Sequence, residues 1–169
     1  MPIITIDRTN PFDLTPFLGL GSSIWKGPID GDGLSGDEEQ GKRSLALTEV
    51  DVSRIRLVTT LKEGEIRVGG EERIRRLKNS GYIRLDAKLF QFFLEHKECI
   101  PEEWKERVNG NVLYIHFDGT VFRDSNGDRR VECLCWGGAG YLGIYRRLGD
   151  DYDANDLSAV LDESVLRVA

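Results

Sequence analysis

The chain has 169 residues, with 23 Lys and Arg against 29 Asp and Glu, a formal charge of −6, 40% hydrophobic and 31% charged residues. That length is too short for two full-sized domains but enough for one core burying roughly 70% of the unfolded surface, and the composition excludes collagenous, coiled-coil and wholly disordered chains. Net acidity argues against generic binding of polyanions while leaving room for a local basic patch.

The N-terminus, Met-Pro-Ile-Ile-Thr-Ile-Asp-Arg, has no basic n-region, long apolar run or small-residue cleavage site, so no secretory signal is expected. No apolar stretch approaches the ~20 residues of a membrane span. The three cysteines, Cys99, Cys133 and Cys135, are an odd set that does not resemble a secreted disulfide framework. A cytoplasmic location without membrane association is therefore the expectation.

In chain order, Ile3 to Ile6 reads as a strand, followed by an irregular apolar segment through Phe12, Phe17, Leu18, Leu20, Ile24 and Trp25 that should pack on the core. Residues 27–42 hold five glycines and five carboxylates and read as a Gly-rich acidic loop. Residues 44–68 read as β-like, with period-two alternation from Leu45 to Thr59 predicting strands. Residues 70–80 predict a helix, with Glu71 and Glu72 in the first turn, Arg75, Arg76 and Lys78 near the end and Gly81 just past it. Asp86 is a candidate N-cap for a helix over 86–98, and Pro101 for the start of a short one.

The last third predicts an antiparallel β-meander, about residues 112–148, with runs Val112–Phe117, Thr120–Arg123, Val131–Trp136 and Tyr141–Leu148. Asn126-Gly127 suits a two-residue type I′ turn pairing Phe122 with Val131. That register puts Phe122, Val131, Cys133, Cys135, Leu142, Ile144 and Leu148 on a core face. It puts Val121, Glu132, Leu134, Trp136, Tyr141, Tyr145 and Arg147 on the other, with Tyr114 and His116 joining them if Asp118-Gly119 is a bulge. Asp156 is read as capping a C-terminal helical turn. The expected class is α+β, one domain over residues 1–169, with the meander packed on two or three helices.

The motifs that invite specific chemistry fail on context. Gly138-Ala-Gly-Tyr-Leu-Gly143 lacks the helix and further strands of a dinucleotide fold. His116-Phe-Asp-Gly-Thr120 puts His where a phosphatase of the haloacid-dehalogenase type needs its nucleophilic Asp. Asp151, Asp153, Asn155 and Asp162 have calcium-loop spacing, but Asp156 replaces the required Gly; in the first loop, Asp30, Asp32, Gly33 and Glu39 are preceded by Pro28 where a ligand belongs. His96, Cys99, Cys133 and Cys135 lack a C-x-x-C pair for zinc. Neither Cys99 nor Cys133 has a recognisable base or oxyanion loop beside it. No catalytic residue, metal or cofactor is assigned.

Two readings of function stay open. The aromatic face offers Trp136, Tyr141, Tyr145 and Arg147 as contacts for a partner protein. The stretch 71–88, with six bases against three acids, offers Arg73, Arg75, Arg76 and Arg84 to a nucleic acid. A variant of the second inverts it: the acidic segments 30–39 and 150–163 would mimic nucleic acid and inhibit a partner that binds it.

The segments Arg43-Ser-Leu-Ala-Leu-Thr-Glu-Val-Asp51, Tyr82-Ile-Arg-Leu-Asp-Ala-Lys88, Ile100-Pro-Glu-Glu-Trp-Lys105, Tyr114-Ile-His-Phe-Asp-Gly-Thr-Val121 and Asn155-Asp-Leu-Ser-Ala-Val-Leu161 together resemble a family of small uncharacterised bacterial proteins. That family carries Ile-Pro-Glu-x-Trp-Lys, Phe-Asp-Gly-Thr and Ser-Ala-Val-Leu signatures. The resemblance spans most of the chain and implies one continuous domain. It implies no activity. The leading expectation is a non-enzymatic cytoplasmic protein that binds another protein.

Overall fold

A computed structural model describes residues 1–10, 12, 13, 21, 23, 24 and 40–162. In chain order its elements are β1 (Ile3–Thr5), β2 (Ser23–Ile24), α1 (Lys42–Leu45), β3 (Glu49–Asp51), β4 (Arg56–Val58), β5 (Val68–Gly69), α2 (Gly70–Asn79), β6 (Ile83–Arg84) and α3 (Ala87–Glu95). Then follow β7 (Arg107–Val108), β8 (Asn111–Val112), β9 (Tyr114–Arg123), β10 (Arg129–Trp136), β11 (Tyr141–Arg147), β12 (Asp151–Tyr152) and β13 (Asp156–Leu161). The chain is mixed α+β, and its sheets are mostly antiparallel.

The main sheet runs β11-β10-β9-β13-β4, with β2 beside β9 and β6 beside β13. β13 lies parallel to β9, Ser158 opposite His116, and antiparallel to β4 and β6. This corrects the helical turn expected after Asp156. Ser158 through Leu161 are buried in succession, so the run Ser-Ala-Val-Leu serves a central strand covered on both faces. Ser44 and Leu45, expected as the start of a strand, belong instead to α1.

The helices follow their end signals. Asp86 caps α3, accepting from the backbone N–H of Lys88 and Leu89, and Arg8 Nη1 holds its other oxygen at 2.7 Å. α3 stops at Glu95, and a 3-10 turn covers Lys97–Cys99. α2 carries Glu71 and Glu72 in its first turn and Lys78 in its last, and Gly81 follows at φ +79°, a left-handed position that glycine takes without a Cβ penalty.

One face of the main sheet packs on α3. Ile115, Phe117, Leu134, Tyr141, Ala159 and Leu161 meet Leu89, Phe90, Phe93 and Trp104 in the principal core. The Phe90 and Phe117 rings are 5.7 Å apart edge-to-face, and Phe93 lies 5.3 Å from Trp104. Each such fully buried ring contributes about 1.5–3 kcal/mol. The face read from the sequence as an aromatic platform is therefore largely the inner one: Leu134 is wholly buried, and Tyr141 only 3% exposed.

The assignment of faces changes at one loop. Asp124 Oδ1 accepts from the N–H of Asn126 and Asp128, and Asp124 N–H donates to the Asp128 carbonyl. Residues 124–128 so close a wider loop, in which Gly127 has positive φ and Asn126 does not. Phe122 then pairs with Arg130, not Val131, and a slip of one residue exchanges faces. Farther along, Phe117 pairs with Glu132, so Asp118 to Val121 stand opposite Val131 alone. This bulge returns Phe122 to the α3 side. It leaves Tyr114 and His116 level with Cys135 and Cys133, on the side opposite Trp136, contrary to expectation.

The bulge brings Gly119 against β6. Its N–H donates to the Leu85 carbonyl, its carbonyl accepts from Gly41 N–H, and a Cβ there would lie 2.4 Å from the Arg84 carbonyl oxygen. Backbone cannot yield as a side chain does. Gly119→Ala is expected to cost about 1–3 kcal/mol or more, lowering Tm by several degrees in a thermal melt, whereas Gly140→Ala, with nothing within 4 Å, should leave Tm within a degree or two.

Candidate functional site

The second face of the sheet is covered by α2, and its interior is ionic. Arg73 projects from α2 onto the bulge and is fully buried. Its Nη1 and Nη2 donate to the two carboxylate oxygens of Asp118 at 2.5 and 2.9 Å, and Nη2 also reaches Ser158 Oγ at 2.6 Å. The Tyr152 ring lies 4.9 Å from the guanidinium and 5.1 Å from the His116 ring. Next to them His116 Nε2 is 2.9 Å from Asp156 Oδ1, which also accepts from Arg146 Nη1 at 3.0 Å.

Burial and neighbouring charge set the protonation states. Burial pushes the Asp118 carboxyl up, but Arg73 outweighs it and holds Asp118 below the ordinary range. Burial works likewise on Asp156, and the His116 hydrogen bond, the Asp153 N–H and Arg146 outweigh it. Burial, reinforced by Arg73, pushes His116 below its ordinary value. A neutral His116 donating from Nε2 leaves Nδ1 as an acceptor, and Nδ1 has no hydrogen-bond partner.

Asp156, His116 and Cys133 stand on three adjacent strands, β13, β9 and β10, a nucleophile–base–acid series in residue type. Its geometry is not that of a working nucleophile. Cys133 Sγ lies 3.6 Å from its neighbour's carbonyl, that of Leu134, and burial pushes its thiol well above the usual range. Cys133 and His116 are both completely buried. A thiolate at neutral pH requires an electropositive, partly exposed setting. No group of three or more His, Cys, Asp or Glu among the described residues is arranged to hold a metal ion.

The basic stretch is dispersed by the fold. Arg73 and Arg84 are buried, and Arg84 Nη1 donates to the Asp118 carbonyl at 3.1 Å. Arg75 is bound to Glu72, and Arg76 to Glu72, Glu65 and the Thr60 carbonyl. The four do not form one surface on which a phosphate backbone would lie.

The aromatic residues lie at the other end of the sheet, around β11. Trp136 is half-buried, stacked edge-on with Tyr141 at 5.2 Å and covered by Lys105 Nζ at 4.6 Å. Tyr145 is 40% exposed over Arg130, Leu142 is 55% exposed, and exposed Arg147 bonds Asp150. β11 ends the strand order, so among the described residues β10 is its only strand neighbour. The exposed Leu142 was missed by the sequence reading, which placed it in the core; only the bulge and the resulting sheet order reveal it.

One inner residue is anomalous. Glu132 is fully buried, neither carboxylate oxygen has a partner, and burial pushes its pKa up to about 8. At neutral pH it is mainly protonated.

Breaking the buried pair singly, by Arg73→Met or Asp118→Leu, strands a charge and should cost about 3–5 kcal/mol in urea unfolding, while the double variant recovers much of the loss. The Glu132 proton is held more tightly in the native state than in the unfolded chain, so this residue's contribution is full below pH 4.5 and is lost as pH rises to about 8. The stability of Glu132→Gln relative to wild type should therefore grow by up to about 1.4 kcal/mol per pH unit between pH 5 and 8, measured by urea titrations at each pH.

No protein-family model, no curated protein and no solved structure matches the chain, so function rests on the geometry of these residues.

Proposed function

We propose that this chain is a non-enzymatic cytoplasmic binding protein that acts through protein–protein contacts, with β11 as the contact element. The observation that carries the reading is the state of the two sheet edges. At one edge β4 is three residues long, and Arg56 on it is bound to Asp162 at 2.7 Å. Short strands and charged side chains are the usual protection of an edge. At the other edge β11 is seven residues long, and its segment Tyr141 to Tyr145 has no charge and no proline. Among the described residues, Leu142 and Tyr145 are two of the five exposed large hydrophobic side chains.

An extended peptide added to such an edge gains main-chain hydrogen bonds along the strand and side-chain contacts at alternate positions. Leu142 would serve one face and Tyr145 and Arg147 the other, with Trp136 flanking them. Tyr141, turned into the core, anchors the strand from within. Tyr and Arg are frequent energetic anchors of interfaces. The three cysteines are free thiols, the state that a reducing compartment maintains, which supports the cytoplasmic part of the reading. The buried Cys133 and His116 give no support to an enzymatic alternative.

The test is a comparison of variants in affinity capture from the native host. A partner held by the wild-type chain should be lost with Leu142→Lys and Tyr145→Lys and kept with Ile66→Lys, a control side chain that is 81% exposed away from the edge. In the complex, β11 amides should gain protection from hydrogen exchange. Equal capture by all three variants would remove β11 from the interface.

A further inference from the structure

The β10–β11 hairpin decides which backbone groups of β11 are free. Gly137 N–H donates to the Gly140 carbonyl at one end of the pairing, and Leu148 N–H to the Arg129 carbonyl at the other. Hydrogen-bonded and non-hydrogen-bonded pairs alternate along an antiparallel ladder. Leu142, Ile144 and Arg146 therefore turn their N–H and C=O groups toward β10, and Tyr141, Gly143, Tyr145 and Arg147 turn theirs outward. The Arg147 carbonyl is already taken, by Tyr152 Oη at 2.9 Å and the Asp150 N–H at 3.2 Å. Among the described residues, nothing pairs with the outward groups of Tyr141, Gly143 and Tyr145. The open run of backbone is thus Tyr141 to Tyr145.

That run is a palindrome in chemical type. Tyr141-Leu142-Gly143-Ile144-Tyr145 reads aromatic, aliphatic, glycine, aliphatic, aromatic in either direction, and an antiparallel partner runs in the opposite direction. About a two-fold axis at Gly143, the strand would set Tyr141 against the partner's Tyr145, Leu142 against the partner's Ile144, and Gly143 against its own counterpart. The tyrosine and glycine pairs use outward backbone groups on both strands, so they are the hydrogen-bonded ones. Leu142 and Ile144 make the closer pairs between them, with Cα atoms about 4.5 Å apart, on the face that carries Cys133 and Cys135. Leu142, 55% exposed, and the half-buried Ile144 would be covered there. Tyr145, 40% exposed over Arg130, would gain a cross-strand aromatic neighbour. Arg146 and Arg147 would fall opposite the uncharged Gly140 and Ala139, so like charges do not meet. Other axes lose this match: one at Ile144 sets Leu142 against the partner's Arg146, and one at Leu142 leaves Tyr145 opposite Ala139.

Resting on the reading of β11 as the contact element, we propose that its occupant is a second copy of this chain, paired edge to edge through Tyr141–Tyr145 in an isologous two-fold dimer. Such a contact closes on itself. It joins the two main sheets into one and removes the unprotected edge of each, which would otherwise be open to further strands.

The experiment is sedimentation equilibrium of the whole chain over a range of concentrations, with amide hydrogen exchange. The wild-type chain should show a reversible monomer–dimer equilibrium. Every substitution enters a two-fold interface twice, so Leu142→Lys should raise the dissociation constant about tenfold or more, with thermal melts confirming that it folds. Leu142→Ile combined with Ile144→Leu, which exchanges the members of one pair, should keep the dimer, and so should Ile66→Lys. On dimerisation the amides of Tyr141, Gly143 and Tyr145 should gain protection, while those of Leu142 and Ile144, already bonded to β10, change little. A chain that stays monomeric, or a dimer indifferent to Leu142→Lys, overturns the self-pairing. If that monomeric chain captures a different protein and loses it with Leu142→Lys, β11 remains the contact element with another occupant. If Leu142→Lys alters neither association nor capture, both readings fall.

Discussion

The contact on which much of this architecture depends is the buried ion pair between Arg73 and Asp118. Asp118 opens the bulge that interrupts β9, and Arg73 is the residue through which α2 grips the sheet. The guanidinium meets both carboxylate oxygens and the Ser158 hydroxyl, so one side chain ties α2 to β9 and β13 together. Stripping water from two charges is costly, and such a pair adds less to stability than a hydrocarbon contact of equal volume. What it supplies is position. A hydrophobic side chain would tolerate a shift of α2 along the sheet; a two-pronged guanidinium does not. Gly70, where a Cβ would sit 2.5 Å from the Leu148 carbonyl oxygen, fixes the beginning of the same helix from the other side.

The sheet thus has two interiors of different character. Under α3 the contacts are rings and aliphatic chains, which supply most of the burial energy. Under α2 they are hydrogen-bonded charges around a small apolar patch of Ile74, Val121, Val131 and Leu148. β10 serves both sides, with Cys133 facing one and Leu134 the other. Glu132 is the exception: a carboxyl on the α3 side, kept mainly neutral by burial without a hydrogen-bond partner. Its cost is contained only because protonation removes the charge.

The local signals of this fold were legible in the sequence where a single residue type does a single job. Asp86 caps α3, Gly81 follows α2, and the acid-first, base-last order of α2 suits its dipole. What was not legible depends on contacts distant in sequence. Asn126-Gly127 carries the signature of a tight turn, but the Asp124 carboxylate, by accepting two N–H groups, stabilises a longer loop and shifts the register. Nothing local reveals that Asp118 has a cation forty-five residues upstream. Asp156 resembles a helix cap in the sequence, and its carboxylate does accept the Asp153 N–H, yet the residues after it are drawn into the sheet between β9 and β4. The exposed edge at β11 was hidden for the same reason, since edge and centre are distinguished by sheet order.

The basic stretch at 71–88 shows how folding converts composition into sites. Read as a run, its charges add up to a surface for a polyanion. Folded, they separate by helical phase and by partner. Arg73 points inward to Asp118. Arg75 and Arg76 lie along the helix with Glu72 and Glu65, pairs that mutually neutralise at the surface. Lys88 turns to Gln91 on α3. Lys78 and Arg84 line one cavity with Arg43, which belongs to a different segment, and Arg75 and Arg76 line another with Lys62. A duplex backbone needs cations spread along many ångströms, while a single phosphoryl group needs them converged on one point. The fold dismantles the first arrangement, dividing these charges between the interior and separate parts of the surface.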